Sequence, residues 1–109
     1  MYLVNALSIN MFGNIDETIS VKVTPVSLEQ VKAIITENKD NFVSAIGHVD
    51  TARILSNMLE IEVAVSRANV KIISGDYAVV AQYVGPRLPE GATQLPEGAE
   101  IRFFVVNVE

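Results

Sequence analysis

The chain has 109 residues, half of them hydrophobic and 19% charged, with a net charge of −5 and a pI near 4.8. Zero cysteines and one histidine exclude disulfides, a thiol nucleophile, a thiolate zinc site and any multi-histidine metal site within one subunit. The acidic balance argues against long duplex nucleic acid, whose binding rests on many Lys and Arg contacts to phosphate, but is compatible with a small anion held by a few arginines and backbone amides.

MYLVNAL (1–7) is apolar enough for a short, central strand, and it carries no basic leader, so no signal peptide is expected. SINMFGN (8–14) mixes polar residues with a Gly-Asn turn signal and reads as a loop or a single helical turn. TISVKVT (18–24) alternates Ile19, Val21 and Val23 against Ser20, Lys22 and Thr24, the two-residue period of a half-buried strand, which Pro25 is expected to end. Ser27 and Gln30 form a capping-box pattern that opens a helix over 28–38, with Leu28, Val31, Ile34 and Ile35 as its apolar stripe. NKDN (38–41) is a turn, and FVSAI (42–46) a short strand ending at Gly47. His48 or Asp50 can cap a second helix over about 50–59, packing Ile54, Leu55, Met58 and Leu59 inward. VKII (70–73) and YAVVAQY (77–83) flank SGD, a good hairpin turn.

Residues 84–99 differ from the rest, holding three of the four prolines and three of the six glycines, with little apolar periodicity. LPEG occurs there twice, a repeat too short to mean a repeated fold unit. Long loops in compact domains are often lids or binding loops; the plain alternative is a connector. EIRFFVVNV (100–108) closes the chain as an apolar strand. These elements predict one small α/β domain over 1–109: a mixed β-sheet of about five strands with helices packed mainly on one face. No apolar run reaches the roughly 20 residues needed to span a bilayer, and a cytoplasmic location is expected.

Three places carry candidate chemistry. His48, in AIGHVD, stands at a predicted helix start, where an imidazole can serve as acid or base or can be an ordinary cap. Arg87 and Glu90, in PRLPEG, put a cation and a carboxylate three residues apart on a proline-stiffened loop, either as a phosphate clamp with its partner or as a solvated pair. Asn5, Ser8 and Asn10 follow the first strand, where amides and hydroxyls line many α/β sites but also satisfy local turns. Asp16, Glu17, Glu60 and Glu62 lack metal-ligand spacing. Read from its residues alone, the chain is a domain with hints of an anion site and an open function.

Taken in order, NALSIN, AIGHVDTARIL and RLPEG resemble the type III anti-CRISPR ring nucleases, a family of small viral and cellular proteins. The resemblance covers nearly the whole chain. It implies a homodimer that binds cyclic tetra-adenylate and cuts it without metal or cofactor. The 2′-hydroxyl attacks the adjacent phosphate, giving linear products with 2′,3′-cyclic phosphate ends and silencing type III CRISPR signalling. It further implies His48 as catalytic acid, Arg87 and Glu90 as the active-site pair of a mobile loop over 84–99, and Asn5, Ser8, Asn10, Thr51 and Arg67 as ligand-binding positions. This chain departs from the family pattern at Pro86 and in a shorter, less helical 92–99 stretch. The alternatives are a non-catalytic protein that sequesters the cyclic nucleotide, or a DNA- or protein-interaction module of a mobile element.

Overall fold

Strands and helices follow in the order β1 (Tyr2–Val4), β2 (Val21–Val26), α1 (Leu28–Glu37), β3 (Val43–Ser44), α2 (Val49–Leu59), β4 (Tyr77–Val84) and β5 (Glu100–Val108). They come from a computed structural model that describes residues 1–13 and 15–109; the second half of the Gly-Asn turn signal, at position 14, lies outside the described residues. A single 3₁₀ turn at Ile9–Met11 fills the loop after β1. The five strands form one mixed sheet in the order β2-β5-β4-β1-β3. β1 pairs in parallel with β3 and β4, whereas β5 runs antiparallel to both β4 and β2. β1 through β4 therefore share one direction and β5 alone is reversed.

Alternation along β4 sorts its side chains onto two faces, as a period-two strand requires. Val79 and Ala81 join Leu3 and Phe103 against Val31 and Ile35 of α1 and Ala52, Leu55 and Leu59 of α2. Ala78 and Val80 join Val4, Val106 and Val108 on the other face, beneath Phe12, Val70 and Ile72. Both helices thus cover one face, as expected, and irregular chain covers part of the other. Among the described residues no helix is long and apolar enough to cross a membrane.

The capping box is present in full. Ser27 Oγ accepts from the Gln30 amide at 3.1 Å, and Gln30 Oε1 accepts from the Ser27 amide at 2.8 Å. Ser27→Ala removes one of these bonds at an exposed position. It should cost about 1 kcal/mol and lower the melting temperature by roughly 3–6 °C in a thermal melt.

Two expectations need correction. Pro25 does not end its strand: β2 runs on to Val26, and Pro25 sits opposite Phe104. An edge strand has N–H groups that face away from its one neighbour, and a proline at such a position gives up no ladder bond. VKII and YAVVAQY do not form a hairpin either. Both edges of β4 are occupied, by β5 and β1, and Ile72 instead bridges Phe12 in parallel. The alternating burial of Val70 and Ile72 is real, but it serves the core. The SGD turn is tied to the end of β5, with the Gly75 amide on Val108 O and the Val108 amide on Asp76 O.

Candidate functional site

Because β1, β3 and β4 run in parallel, their carboxyl ends lie at one end of the sheet. Open α/β sheets commonly bind ligands there. Asn5 leaves β1 at that end, Gly47 and His48 follow β3, and the long loop leaves β4. The sheet topology thus gathers segments far apart in sequence.

The loop spans 85–99, one residue later than expected, and is the connection of the β4–β5 hairpin. Its base is narrow: a β-carbon on Gly85 would come within 2.7 Å of Ala99 Cα, and Gly85 has φ of +144°. A glycine is required at this close approach of two backbones. Each LPEG copy, with the alanine that follows it, forms the same Pro-Glu-Gly-Ala β-turn. Ala92 donates to Pro89 O at 3.2 Å with Gly91 at φ +79°, and Ala99 donates to Pro96 O at 3.1 Å with Gly98 at φ +82°. Glycine in third place with positive φ is the type II pattern. The repeat is therefore one of turns.

The loop does not stand free of the body. Asp50 Oδ2 accepts from the Gly91 amide at 3.1 Å, and Asn57 donates its side-chain amide to Thr93 O at 3.0 Å. Both anchors belong to α2. The loop and α2 border two open hollows, one of about 490 Å³ beside Asn57, Met58 and Leu95. The other, of about 560 Å³, is lined by His48, Val49, Asp50, Arg87, Leu88, Pro89 and Glu90.

The second hollow unites the three residues assigned to chemistry. His48 occupies the N-cap position of α2, and its carbonyl accepts from the Ala52 amide at 3.0 Å. Its imidazole makes no capping hydrogen bond and is exposed, so the cap reading holds for its backbone only. Arg87 and Glu90 form the opposing wall. Neither has an ion-pair partner among the described residues. A cavity of this size with an imidazole, an uncommitted guanidinium and a carboxylate can bind an anion and move protons.

The other five positions do not line this hollow. Arg67 lies next to it: its Cγ stands 3.3 Å from where a Gly47 β-carbon would be, so its stem crosses the residue before His48. Thr51 sits half-buried in the first turn of α2, and Asn5 half-buried beyond β1. Ser8 and Asn10 are exposed around the 3₁₀ turn, where Asn10 O accepts from Lys71 Nζ at 3.2 Å. Among the described residues no three His, Cys, Asp or Glu side chains come together to hold a metal ion. Asp50 and Asn57, which tie down the loop, were not distinguishable as anchors in the sequence, since a helix-start Asp reads first as a cap.

Fold and cavity together define a small α/β domain with its candidate site at the carboxyl ends of parallel strands. The chain belongs to the STIV B116-like family, whose model matches residues 1–104. It is 38% identical over 91 residues to the uncharacterized protein ORF117 of Acidianus two-tailed virus, covering 84% of this chain and 74% of that one. It is 28% identical over 91 residues to the uncharacterized protein 26 of Sulfolobus islandicus filamentous virus, covering 84% and 73%. The solved structure of B116 of Sulfolobus turreted icosahedral virus matches with a TM-score of 0.77 at 24% identity over 97% of both chains, a shared fold.

Proposed function

We propose that this protein is a metal-independent ring nuclease that binds and cleaves cyclic tetra-adenylate, and so ends type III CRISPR signalling in the host cytoplasm. One observation carries most weight: His48 and the Arg87–Glu90 pair, about forty residues apart in the chain, line one cavity. Cutting an RNA ring without a metal needs three things. The 2′-hydroxyl must sit in line with its own phosphate, the crowded anionic phosphorane must be stabilised, and the departing 5′-oxygen must receive a proton.

Ring geometry and the cavity walls supply the first. Arg87 supplies the second, as a cation that lines the hollow without an ion-pair partner among the described residues. His48 supplies the third, with Glu90 assigned the 2′-hydroxyl proton. The new 2′-O–P bond replaces the P–5′-O bond, so the products carry 2′,3′-cyclic phosphate and 5′-hydroxyl ends. Arg67, Thr51, Asn5, Ser8 and Asn10 are assigned to ligand contacts around this centre. A hollow of about 560 Å³ suits a drug-sized ligand and is small for four nucleotides. We therefore assign the active form to a homodimer, in which two copies of the cavity face a ring that itself has two-fold symmetry.

The test mixes the wild-type protein with cyclic tetra-adenylate in excess EDTA and resolves the products. Linear products with 2′,3′-cyclic phosphate ends are expected. Tight binding without turnover would point to sequestration, and no binding to a DNA or protein partner.

A further inference from the structure

We propose that Asp50 is a positioning residue of this cavity: it latches the Pro89–Ala92 turn to the start of α2 and so fixes where Arg87 and Glu90 stand relative to His48. The assignment rests on the ring-nuclease proposal for its catalytic consequence, though not for the latch itself. Asp50 is only 4% exposed and is, with Ser44, one of the two buried polar residues among the described residues. Both its oxygens are engaged, Oδ2 by the Gly91 amide at 3.1 Å and Oδ1 by Arg53 Nη1 at 3.6 Å. Burying a carboxylate is costly unless it is bonded, so its place beneath the loop calls for the bonds it makes.

The chemistry of the position narrows the role. A carboxylate in the first turn of α2 repels any phosphate drawn to the helix N-terminus, so Asp50 is unsuited to be an anion ligand. It is well suited to accept a backbone N–H, because such charge-assisted bonds are stronger than neutral ones. The bonded amide is that of Gly91, in a turn closed by the Ala92-to-Pro89 hydrogen bond and stiffened by Pro89. Holding Gly91 therefore holds its neighbour Glu90, and through Pro89 and Leu88 it constrains Arg87. The second tether, from Asn57 to Thr93, lies two residues farther along and outside that turn. His48 and Asp50 are two residues apart on α2, so one rigid element carries both the acid and the latch.

The experiment compares wild type, Asp50→Asn and Asp50→Ala by hydrogen exchange at the Gly91 amide and by steady-state ring cleavage, with thermal melts as a folding check. Asparagine keeps an acceptor oxygen and alanine does not. Asp50→Ala should speed Gly91 exchange about 10- to 100-fold. Its kcat should fall roughly 100-fold, as for a catalytic pair displaced by about an ångström, with a much smaller rise in KM because the displaced Arg87 also meets the ground-state phosphate. Asp50→Asn should restore most of both. If Asp50→Ala fails to fold, Asp50→Ser replaces it: serine is favourable at a helix start but too short to reach Gly91.

Wild-type kcat in a folded latch-free variant overturns the proposal, and so does an Asp50→Asn protein as impaired as Asp50→Ala. If the wild-type protein leaves the ring intact, ring cleavage is what fails. The latch then stands or falls on Gly91 exchange alone, and equal exchange with and without the acceptor overturns it.

Discussion

His48→Ala is expected to slow single-turnover cleavage of cyclic tetra-adenylate by roughly 10²–10⁴-fold while leaving the affinity for the ring nearly unchanged. The size follows from the role assigned to the imidazole. Without a proton, a 5′-oxygen leaves as a high-energy alkoxide, and no other imidazole is present in the chain to replace the donor. The affinity should survive because the imidazole is exposed and makes no capping hydrogen bond, so its removal leaves α2 and the cavity walls in place. Filter binding or calorimetry gives the affinity, and quenched-flow sampling gives the rate. A variant that loses binding and cleavage in equal measure would make His48 a ligand contact.

Arg87→Ala should reduce kcat by about 10²–10³-fold and also weaken ring binding, since a cation that meets the phosphorane also meets the ground-state phosphate. Arg87→Lys should recover binding better than rate. Lysine keeps the charge but loses the planar fork that fits two phosphate oxygens at once. The split between KM and kcat separates the two roles. Because Arg87 is exposed and free of ion pairs among the described residues, neither variant should shift the melting temperature by more than a degree or two. If both variants match wild type in kcat, the cation must come from elsewhere, and Arg67 beside Gly47 is next to examine.

Local signals in the sequence carried the elements well where one force governs. The Ser27–Gln30 pair marks the start of α1 because capping depends on two neighbouring side chains alone. The apolar stripes of α1 and α2 mark the face that packs on the sheet. Strand partnership was harder, because it depends on which edges remain free. Val70 and Ile72 alternate like a strand next to a turn, yet β4 had no edge left for them. Pro25 likewise stays within a strand only because β2 lies at the sheet margin.

The site divides the same way. His48 stands out as the one histidine, Arg87 and Glu90 are singled out from a solvated pair only by the family resemblance, and the topology brings all three to one hollow. Asp50 gives no such sign, since its importance lies in a bond to Gly91, 41 residues away. The doubled LPEG is a short repeat of no meaning for the overall fold, yet it encodes two identical turns, one of which carries Glu90.

The most direct test is a crystal structure of the His48→Ala protein with uncut cyclic tetra-adenylate. The ring should lie across a two-fold axis between two protomers, with one of its phosphates in the hollow between the start of α2 and residues 87–90, an oxygen of that phosphate within hydrogen-bonding distance of the Arg87 guanidinium, and the adjacent 2′-hydroxyl in line for attack. A ring seated elsewhere, for example on the exposed apolar sheet face around Leu7 and Val23, with Arg87 facing solvent, would contradict the assignment of this cavity as the active site.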